Sequence, residues 1–150
     1  MKQGNLLIID DDPAIIYLVV RELTNYVEKI FSAKDGLEAL EIFRTENIHC
    51  AICDMVMPGI NGVDVIRQVR EEGYQCPIIF YTGFGTENLM FEVSRYGAFD
   101  FVQKPDIKTL KEIALRGIEC GFNANYSMKI SDVLPPKELS AYWKLIRSKH

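Results

Sequence analysis

The 150-residue sequence has no apolar stretch approaching the roughly 20 residues that a transmembrane helix needs. Residues 1–4 lead at once into a predicted strand, so the sequence shows no secretory signal peptide. Internal repeats and low-complexity tracts are also missing. These absences argue against a membrane or secreted protein, and they predict a cytoplasmic protein with one globular domain of ordinary size.

Cysteine and histidine are scarce, with four and two residues respectively. Cys50 and Cys53 lie close together in a predicted strand, but an odd spacing places their side chains on opposite faces. The pair therefore cannot chelate one ion or form a redox disulfide, and we expect buried, reduced thiols. His49, at the start of the same strand, is expected to be a surface residue rather than a metal ligand.

The net charge of −4 is unevenly distributed. Residues 1–120 contain 12 basic and 19 acidic side chains, a balance of −7, whereas residues 121–150 contain five basic and two acidic side chains, a balance of +3. An acidic main segment argues against direct nucleic-acid binding, and the basic tail is too short and too mildly charged for a DNA-binding module.

Short apolar runs alternate five times with stretches of helical periodicity. The runs predict strands near residues 5–10, 27–32, 48–54, 76–82 and 99–103. The periodic stretches predict helices near residues 13–25, 36–46, 62–72, 86–96 and 107–120. Continuously apolar strands are typical of a parallel sheet covered by helices on both faces, so the pattern indicates a doubly wound α/β fold. Periodicity leaves the order of the strands open.

Carboxylates stand at the ends of two predicted strands. Asp10 and Asp11 close the first strand, and Asp54 closes the third. Converging carboxylates repel one another and raise each other's pKa, and a divalent cation relieves that cost. Oxygen ligands alone select a hard ion, so the pattern predicts an Mg²⁺ site. Asp12 precedes Pro13 and is expected to cap the first helix instead of binding metal.

Two later strands end in groups of a different kind, a hydroxyl at Thr82 and an ammonium at Lys104. A nucleophilic carboxylate, a metal, a hydroxyl and a cation are the components that phosphoryl transfer onto an aspartate requires. The sequence therefore predicts phosphoryl transfer onto an aspartate at this edge of the sheet.

The same residues carry a resemblance to the receiver domain of two-component response regulators, over roughly residues 4–120. The matching positions are Asp10-Asp11, Asp54 followed by Met57-Pro58-Gly59 and Gly62, Thr82-Gly83, and Lys104-Pro105. The resemblance implies a flavodoxin-like sheet with strand order 2-1-3-4-5, in which the first and third strands are neighbours.

The resemblance also implies roles for individual residues. Asp54 is the expected phosphoacceptor. The expected metal is Mg²⁺, or Mn²⁺ in its place. Its expected ligands are Asp11, which binds it directly, Asp54, and the backbone carbonyl of Val56. Asp10 is expected to act through water or an outer contact. The phosphoryl oxygens are expected to contact Thr82, Lys104 and the backbone N–H groups of Met55 and Gly83, with Gly83 keeping the approach to Asp54 open.

Phe101 lies at the position of the family's aromatic switch residue. The implied mechanism moves Thr82 toward the phosphoryl group and lets Phe101 rotate into the vacated space. The same position is also compatible with an ordinary core aromatic. The resemblance further implies a cis peptide bond between Lys104 and Pro105, which directs Lys104 inward.

The implied function is that of a phosphorelay signalling switch, which catalyses only its own phosphorylation and dephosphorylation and is not otherwise an enzyme. Its expected partners are a sensor histidine kinase or histidine phosphotransfer protein, an unidentified downstream protein, and a second copy in a homodimer. No membrane or direct nucleic-acid contact is expected of this segment.

Three alternatives remain open at this stage. An aspartyl-phosphate phosphatase would use Asp10 as its nucleophile, but the sequence lacks the acidic pair expected after Lys104 and a cap domain. A module that kept the fold without phosphorylation is the second alternative, although no residue favours it. The third is a receiver excised from a longer regulator whose effector domain is missing.

The boundary near Cys120 separates a predicted receiver domain, residues 1–120, from a C-terminal extension, residues 121–150. A helix is predicted at about 137–147. Its apolar stripe, spaced i, i+3, i+4 and i+7, is expected to dock on a protein surface and consists of Leu139, Tyr142, Trp143 and Ile146.

Overall fold

The computed structural model describes residues 2–83 and 85–124, and within them five strands alternate with five helices. The strands are β1 Asn5–Ile9, β2 Lys29–Ala33, β3 Cys50–Cys53, β4 Ile78–Thr82 and β5 Asp100–Gln103. The helices are α1 Pro13–Leu23, α2 Gly36–Thr45, α3 Gly62–Glu71, α4 Glu87–Ser94 and α5 Ile107–Asn123. Every element predicted within these residues is present, with bounds that differ by a few residues. The helix predicted at 137–147, its docking, and Phe84 lie outside the described residues.

All strands are parallel, and their order in the sheet is β2-β1-β3-β4-β5. This order confirms the one that the family resemblance implied. Because β1 and β3 are neighbours, Ile9 pairs with Cys53, and the N–H of Asp54 donates to the carbonyl of Ile9 over 2.9 Å. The pairing brings the carboxylates that follow the two strands to the same edge of the sheet.

Successive strand residues alternate between two apolar clusters, one on each face of the sheet. Cys53 packs with residues of α2, α3 and α4, whereas Cys50 packs with residues of α1 and α5. The predicted separation of these two cysteines is therefore confirmed. Both thiols are fully buried, and burial raises their pKa well above the ordinary value. They act as small apolar side chains of the core.

His49 differs from its prediction, because it is 7% exposed and not a surface residue. Its Nδ1 accepts a hydrogen bond from the backbone N–H of Asn5 at 2.9 Å. Its ring lies 5.4 Å from the ring of Phe122, in the last turn of α5. A backbone donor on one side and an aromatic cover on the other give this polar side chain a stable buried position.

The C-terminal half of α5 packs against the sheet through its backbone. A Cβ atom placed on Gly121 would overlap the carbonyl oxygen of His49, and one placed on Gly117 would lie 3.0 Å from the sulfur of Cys50. Glycine at these positions lets the helix approach β3 more closely than a side chain would allow. No helix within the described ranges is long and apolar enough to cross a bilayer.

Each helix begins at a residue whose side chain accepts a hydrogen bond from its first turn. Asp12 accepts from the N–H of Ala14 at 2.9 Å, which confirms its predicted role as a cap. The other N-cap residues are Asp35, Asn61, Thr86 and Asp106. These caps satisfy backbone donors that the helices leave unpaired and set where each helix starts after its loop.

Candidate functional site: an acidic pocket at the carboxyl edge of the sheet

Four side chains predicted from sequence lie where parallel strands end at the same edge of the sheet. Asp10 follows β1, Asp54 follows β3, Thr82 ends β4, and Lys104 follows β5. The N–H of Lys104 donates to the carbonyl of Thr82 at 3.0 Å, which extends the pairing of β4 and β5 by one step. The carboxyl edge is also where open α/β sheets bind their ligands.

The three predicted carboxylates form one cluster. Asp10, Asp11 and Asp54 each offer an oxygen atom, and these three oxygens lie within 4.8 Å of one another. Asp10 and Asp54 are buried, whereas Asp11 is exposed at the mouth of the cluster. Asp12 is the next residue, but its carboxylate caps α1, so the structure separates the cap from the cluster as the sequence predicted.

Lys104 bridges the two buried carboxylates. Its Nζ donates to Oδ2 of Asp10 at 2.8 Å and to Oδ2 of Asp54 at 3.2 Å. The other oxygen of Asp10 accepts from the N–H of Asp12 at 2.9 Å. The peptide bond between Lys104 and Pro105 is cis, which confirms the geometry that the resemblance implied. One cation thus compensates two desolvated anions.

The pocket changes the acidity of its groups. Burial raises the pKa of Asp10, and the hydrogen bond from Lys104 opposes that change only in part. Burial alone would lower the pKa of Lys104, but its hydrogen bond to Asp10 and the charges of Asp10 and Asp54 outweigh burial and raise it. Lys104 therefore stays an ammonium, while Asp10 is a carboxylate that benefits from a further positive charge.

The donor set fits a hard divalent cation. Every candidate ligand in the cluster is a carboxylate oxygen, and Oδ1 of Asp54 is buried with no hydrogen-bond partner among the described residues. A buried, unpaired anionic oxygen costs free energy unless a cation or a donor reaches it. Oxygen-only ligands favour Mg²⁺ over softer metals.

The backbone after Asp54 is held against the start of α3. The N–H of Gly62 donates to the carbonyl of Met55 at 2.9 Å. A Cβ atom on Gly62 would lie 2.7 Å from the carbonyl oxygen of Asp54 and 2.8 Å from the ring of Phe80. Only glycine permits this approach, which explains the Gly62 motif position. Val56, in the same loop, directs its side chain outward with 49% exposure.

Thr82 and Phe101 line one cavity of about 230 Å³ beside α4, together with Gly85, Met90, Val102 and Gln103. Thr82 is buried, and the half-buried ring of Phe101 stacks on the ring of Phe80 with centroids 6.3 Å apart. Gly83 is exposed, and a Cβ atom there would meet no atom within 4 Å. The space beside Gly83 is open, but no neighbouring atom in the described chain requires glycine at that position.

Sequence reasoning missed Tyr81. Its ring is buried beneath the site, and its centroid lies 5.9 Å from Nζ of Lys104. The available signal was strand alternation: Tyr81 precedes Thr82, so it faces the α1 and α5 side of β4 at the level of the pocket. Alternation gives that face but not the path of the Lys104 side chain, on which the contact depends.

Comparison with known proteins gives one consistent family. The family model of the response regulator receiver domain matches residues 6–115. The probable C4-dicarboxylate response regulator DctR of Priestia megaterium is 32% identical over 107 residues. That alignment covers 69% of this chain and 46% of the relative, so the chain spans less than half of that protein.

Solved structures agree with this family. The response regulator protein TrrA of Thermotoga maritima, in complex with Mg²⁺-BeF, is 30% identical with a TM-score of 0.67, and the match covers 77% of this chain and 99% of that one. The signal receiver domain of a Luxo repressor protein of Vibrio parahaemolyticus shares the fold, with a TM-score of 0.76 at 20% identity over 82% of this chain and 95% of that one. Family match, strand order and acidic pocket coincide, and the chain belongs to the response regulator receiver domain family.

Proposed function

We propose that this chain is a response regulator receiver that accepts a phosphoryl group on Asp54 in an Mg²⁺-dependent reaction. The phosphodonor is a sensor histidine kinase or a histidine phosphotransfer protein. The observation that carries the proposal is the contact of Lys104 with both Asp54 and Asp10, with the carboxylate of Asp11 in the same cluster. A family relationship alone supports the coarser role of a phosphoryl-accepting signalling domain.

In the proposed reaction, one carboxylate oxygen of Asp54 forms a bond to phosphorus. The P–N bond of the phosphohistidine breaks, and its electron pair returns to the imidazole of the donor. Asp54 is buried at 7% exposure, so few water molecules compete with the carboxylate for the phosphoryl group.

The metal ion would be held by Asp10, Asp11, Asp54 and the backbone carbonyl of Val56, with Mn²⁺ able to replace Mg²⁺. When bound, the ion neutralises charge on the phosphoryl oxygens and on the crowded carboxylates. Asp10 is already fixed at both oxygens, by the N–H of Asp12 and by Lys104, so it holds its position before any ion arrives.

The phosphoryl oxygens would be bound by the remaining groups of the pocket. Lys104 supplies an ammonium whose raised pKa keeps it charged, and Thr82 supplies a hydroxyl from the end of β4. The backbone N–H groups of Met55 and Gly83 complete the set. Such fixed donors stabilise charge that develops on the transferring group.

Signal output would depend on the surface of α4, β5 and α5. Thr82 and Phe101 line the same cavity, which supports a coupled movement of the two side chains on phosphorylation. Phe91 on α4 is 69% exposed and is a candidate contact for a downstream protein or for a second copy in a homodimer. The receiver boundary predicted at residue 120 would move to the end of α5 at Asn123, because Gly121 and Phe122 pack against His49. The residues that follow α5 would form a separate extension.

The phosphatase alternative with Asp10 as nucleophile receives no support from the geometry. Both oxygens of Asp10 are engaged, one by a backbone N–H and one by Lys104. A carboxylate held at both oxygens is suited to anchoring the site, whereas Asp54 retains one oxygen without a partner among the described residues.

Phosphate incorporation from a small acyl phosphate tests the proposal. We expect incorporation in the presence of Mg²⁺, and loss of it in Asp54→Asn or on adding a chelator. Asp35→Asn is the matched control, because Asp35 caps α2 and asparagine caps equally well. Incorporation that persists in Asp54→Asn, or that is indifferent to chelation, would contradict the proposal.

A further inference from the structure

The ammonium of Lys104 has an aromatic neighbour as well as its two carboxylates. Tyr81 is 1% exposed, and its ring lies under Nζ of Lys104 at 5.9 Å from the centroid. The Lys104 side chain is itself 19% exposed, so much of the contact is shielded from water. Tyr81 pairs with Val102 across β4 and β5, and Val102 lies two residues before Lys104. This pairing fixes the backbone of Tyr81 relative to the end of β5, where Lys104 follows.

We infer that Tyr81 is a positioning residue for Lys104: its ring face, and not its hydroxyl, holds the ammonium at the carboxylates of Asp10 and Asp54. The inference concerns the site of the proposed function and rests on it for the effect on phosphoryl transfer. The position of Lys104 in the unphosphorylated protein can be tested without that function.

The ring is suited to this role because of what a lysine requires. Lysine has a flexible four-carbon stem and a point charge, so two anions alone do not determine the path of the stem. A ring face attracts the cation without directing it to one atom, and the attraction grows when water is excluded. Lys104 can therefore exchange one oxygen partner for another and keep its contact with Tyr81.

The hydroxyl of Tyr81 has no part in this arrangement. Its oxygen is buried without a hydrogen-bond partner among the described residues. Burial raises the pKa of Tyr81, so the phenol remains neutral and the ring keeps its negative face. Phenylalanine would retain the ring and remove an unsatisfied polar atom, whereas methionine would fill much of the volume without a ring.

The first experiment measures the accessibility of Lys104 in the unphosphorylated protein. The rate of amine acylation by acetic anhydride is followed by mass spectrometry of the Lys104 peptide. We expect Tyr81→Met to raise that rate about 3- to 10-fold, as loss of a partly desolvated cation–π contact implies, and Tyr81→Phe to keep it within about twofold. Lys111, which lies 5.0 Å from the ring of Tyr26, is an internal control whose rate should not change.

The second experiment measures the rate of phosphoryl uptake from a small acyl phosphate with Mg²⁺. We expect Tyr81→Met to slow uptake about 3- to 10-fold and Tyr81→Phe to leave it within about twofold. In a Lys104→Met background, Tyr81→Met should slow uptake no further. A circular dichroism spectrum checks the fold, and Tyr81→Leu replaces the methionine variant if that variant does not fold.

Each outcome separates the possibilities. Equal effects of Tyr81→Phe and Tyr81→Met would assign the role to the hydroxyl and overturn the inference. Wild-type rates in Tyr81→Met would overturn it as well. An equal slowing by Met with and without Lys104 would show a structural effect only and would also overturn it. If the wild type takes up no phosphate while the acylation result holds, the proposed function fails and the positioning of Lys104 by Tyr81 stands.

Discussion

Lys104 is paired more closely with Asp10 than with Asp54, at 2.8 Å against 3.2 Å. The two carboxylates therefore have different environments. Asp10 is engaged at both oxygens, whereas Asp54 contacts Lys104 through one oxygen and leaves the other without a partner in the described chain. The lysine anchors itself on Asp10 and remains within reach of the residue proposed to carry the phosphoryl group.

Replacing Lys104 with methionine should destabilise the metal-free protein and make it more responsive to Mg²⁺. Without the ammonium, two buried carboxylates face each other uncompensated, and breaking such a pair costs about 3 kcal/mol. A divalent cation would no longer compete with the ammonium, so Mg²⁺ should recover a larger share of stability than in the wild type. Urea denaturation with and without Mg²⁺ measures both effects.

Lys111→Met is the matched control for that experiment. Lys111 pairs with Glu22 at 4.0 Å on the protein surface, away from the pocket, and surface pairs contribute about 1 kcal/mol or less. Its response to Mg²⁺ should equal that of the wild type. If Mg²⁺ stabilises Lys104→Met no more than it stabilises Lys111→Met, the ammonium of Lys104 does not compete with the divalent cation for the carboxylates.

Alanine substitutions of Asp11 and Asp12, which are neighbours in the sequence, should have different effects on Mg²⁺ binding and on stability. Asp11→Ala should abolish Mg²⁺ binding, because it removes the exposed ligand of the cluster. Asp12→Ala should leave Mg²⁺ binding largely intact and lower the free energy of unfolding by about 1 kcal/mol through loss of the α1 cap. Calorimetric titration with Mg²⁺ and urea denaturation separate the two. Comparable loss of binding in both variants would place the metal elsewhere.

Dephosphorylation of Asp54 should be slow for a receiver. An attacking water needs a polar neighbour to hold it in line, and the side chain of Val56, 49% exposed beside the site, offers no hydrogen bond. Phe84, which follows Gly83 in the sequence and lies outside the described residues, is a second apolar residue that offers no hydrogen bond to such a water. A Val56→Asn, Phe84→Glu double variant should shorten the phosphoryl half-life, measured by loss of radiolabel. A half-life no shorter than that of the wild type would refute this reasoning.

His49 should make stability depend on pH in the acid range. Burial lowers its pKa below the ordinary 6.5. Between that lowered pKa and pH 6.5, the unfolded chain binds more protons at position 49 than the folded protein does. The stability that the neutral His49 contributes is therefore fully present above pH 6.5 and declines as the pH falls through that window. His49→Asn keeps an acceptor for the N–H of Asn5 but cannot titrate, and its unfolding free energy should decline less between pH 7 and the lower end of the window. Parallel declines in the two proteins would exclude His49 as the source.

Local patterns in the sequence predicted the helices and strands, since burial on both faces leaves continuous apolar runs at each strand. They could not predict which strands are neighbours, and the order came from the family resemblance. His49 was misjudged because its burial depends on Phe122, more than seventy residues later in the chain. Tyr81 was missed for a related reason: a strand pattern assigns it a face, but not a contact with Lys104 across two strands.

The contact between Gly121 and His49 has a mechanical consequence. His49 and Asp54 lie at opposite ends of β3, about 16 Å apart at the usual rise of a strand. Helix α5 is thus pinned at its glycine end, while its first turn follows directly from Lys104 and Pro105. A displacement that starts at Lys104 would turn the helix about this pivot rather than slide it. Helix α5 has 17 residues and is about 25 Å long. The pivot at Gly121 lies near its C-terminal end, shortly before residues 125–150 begin.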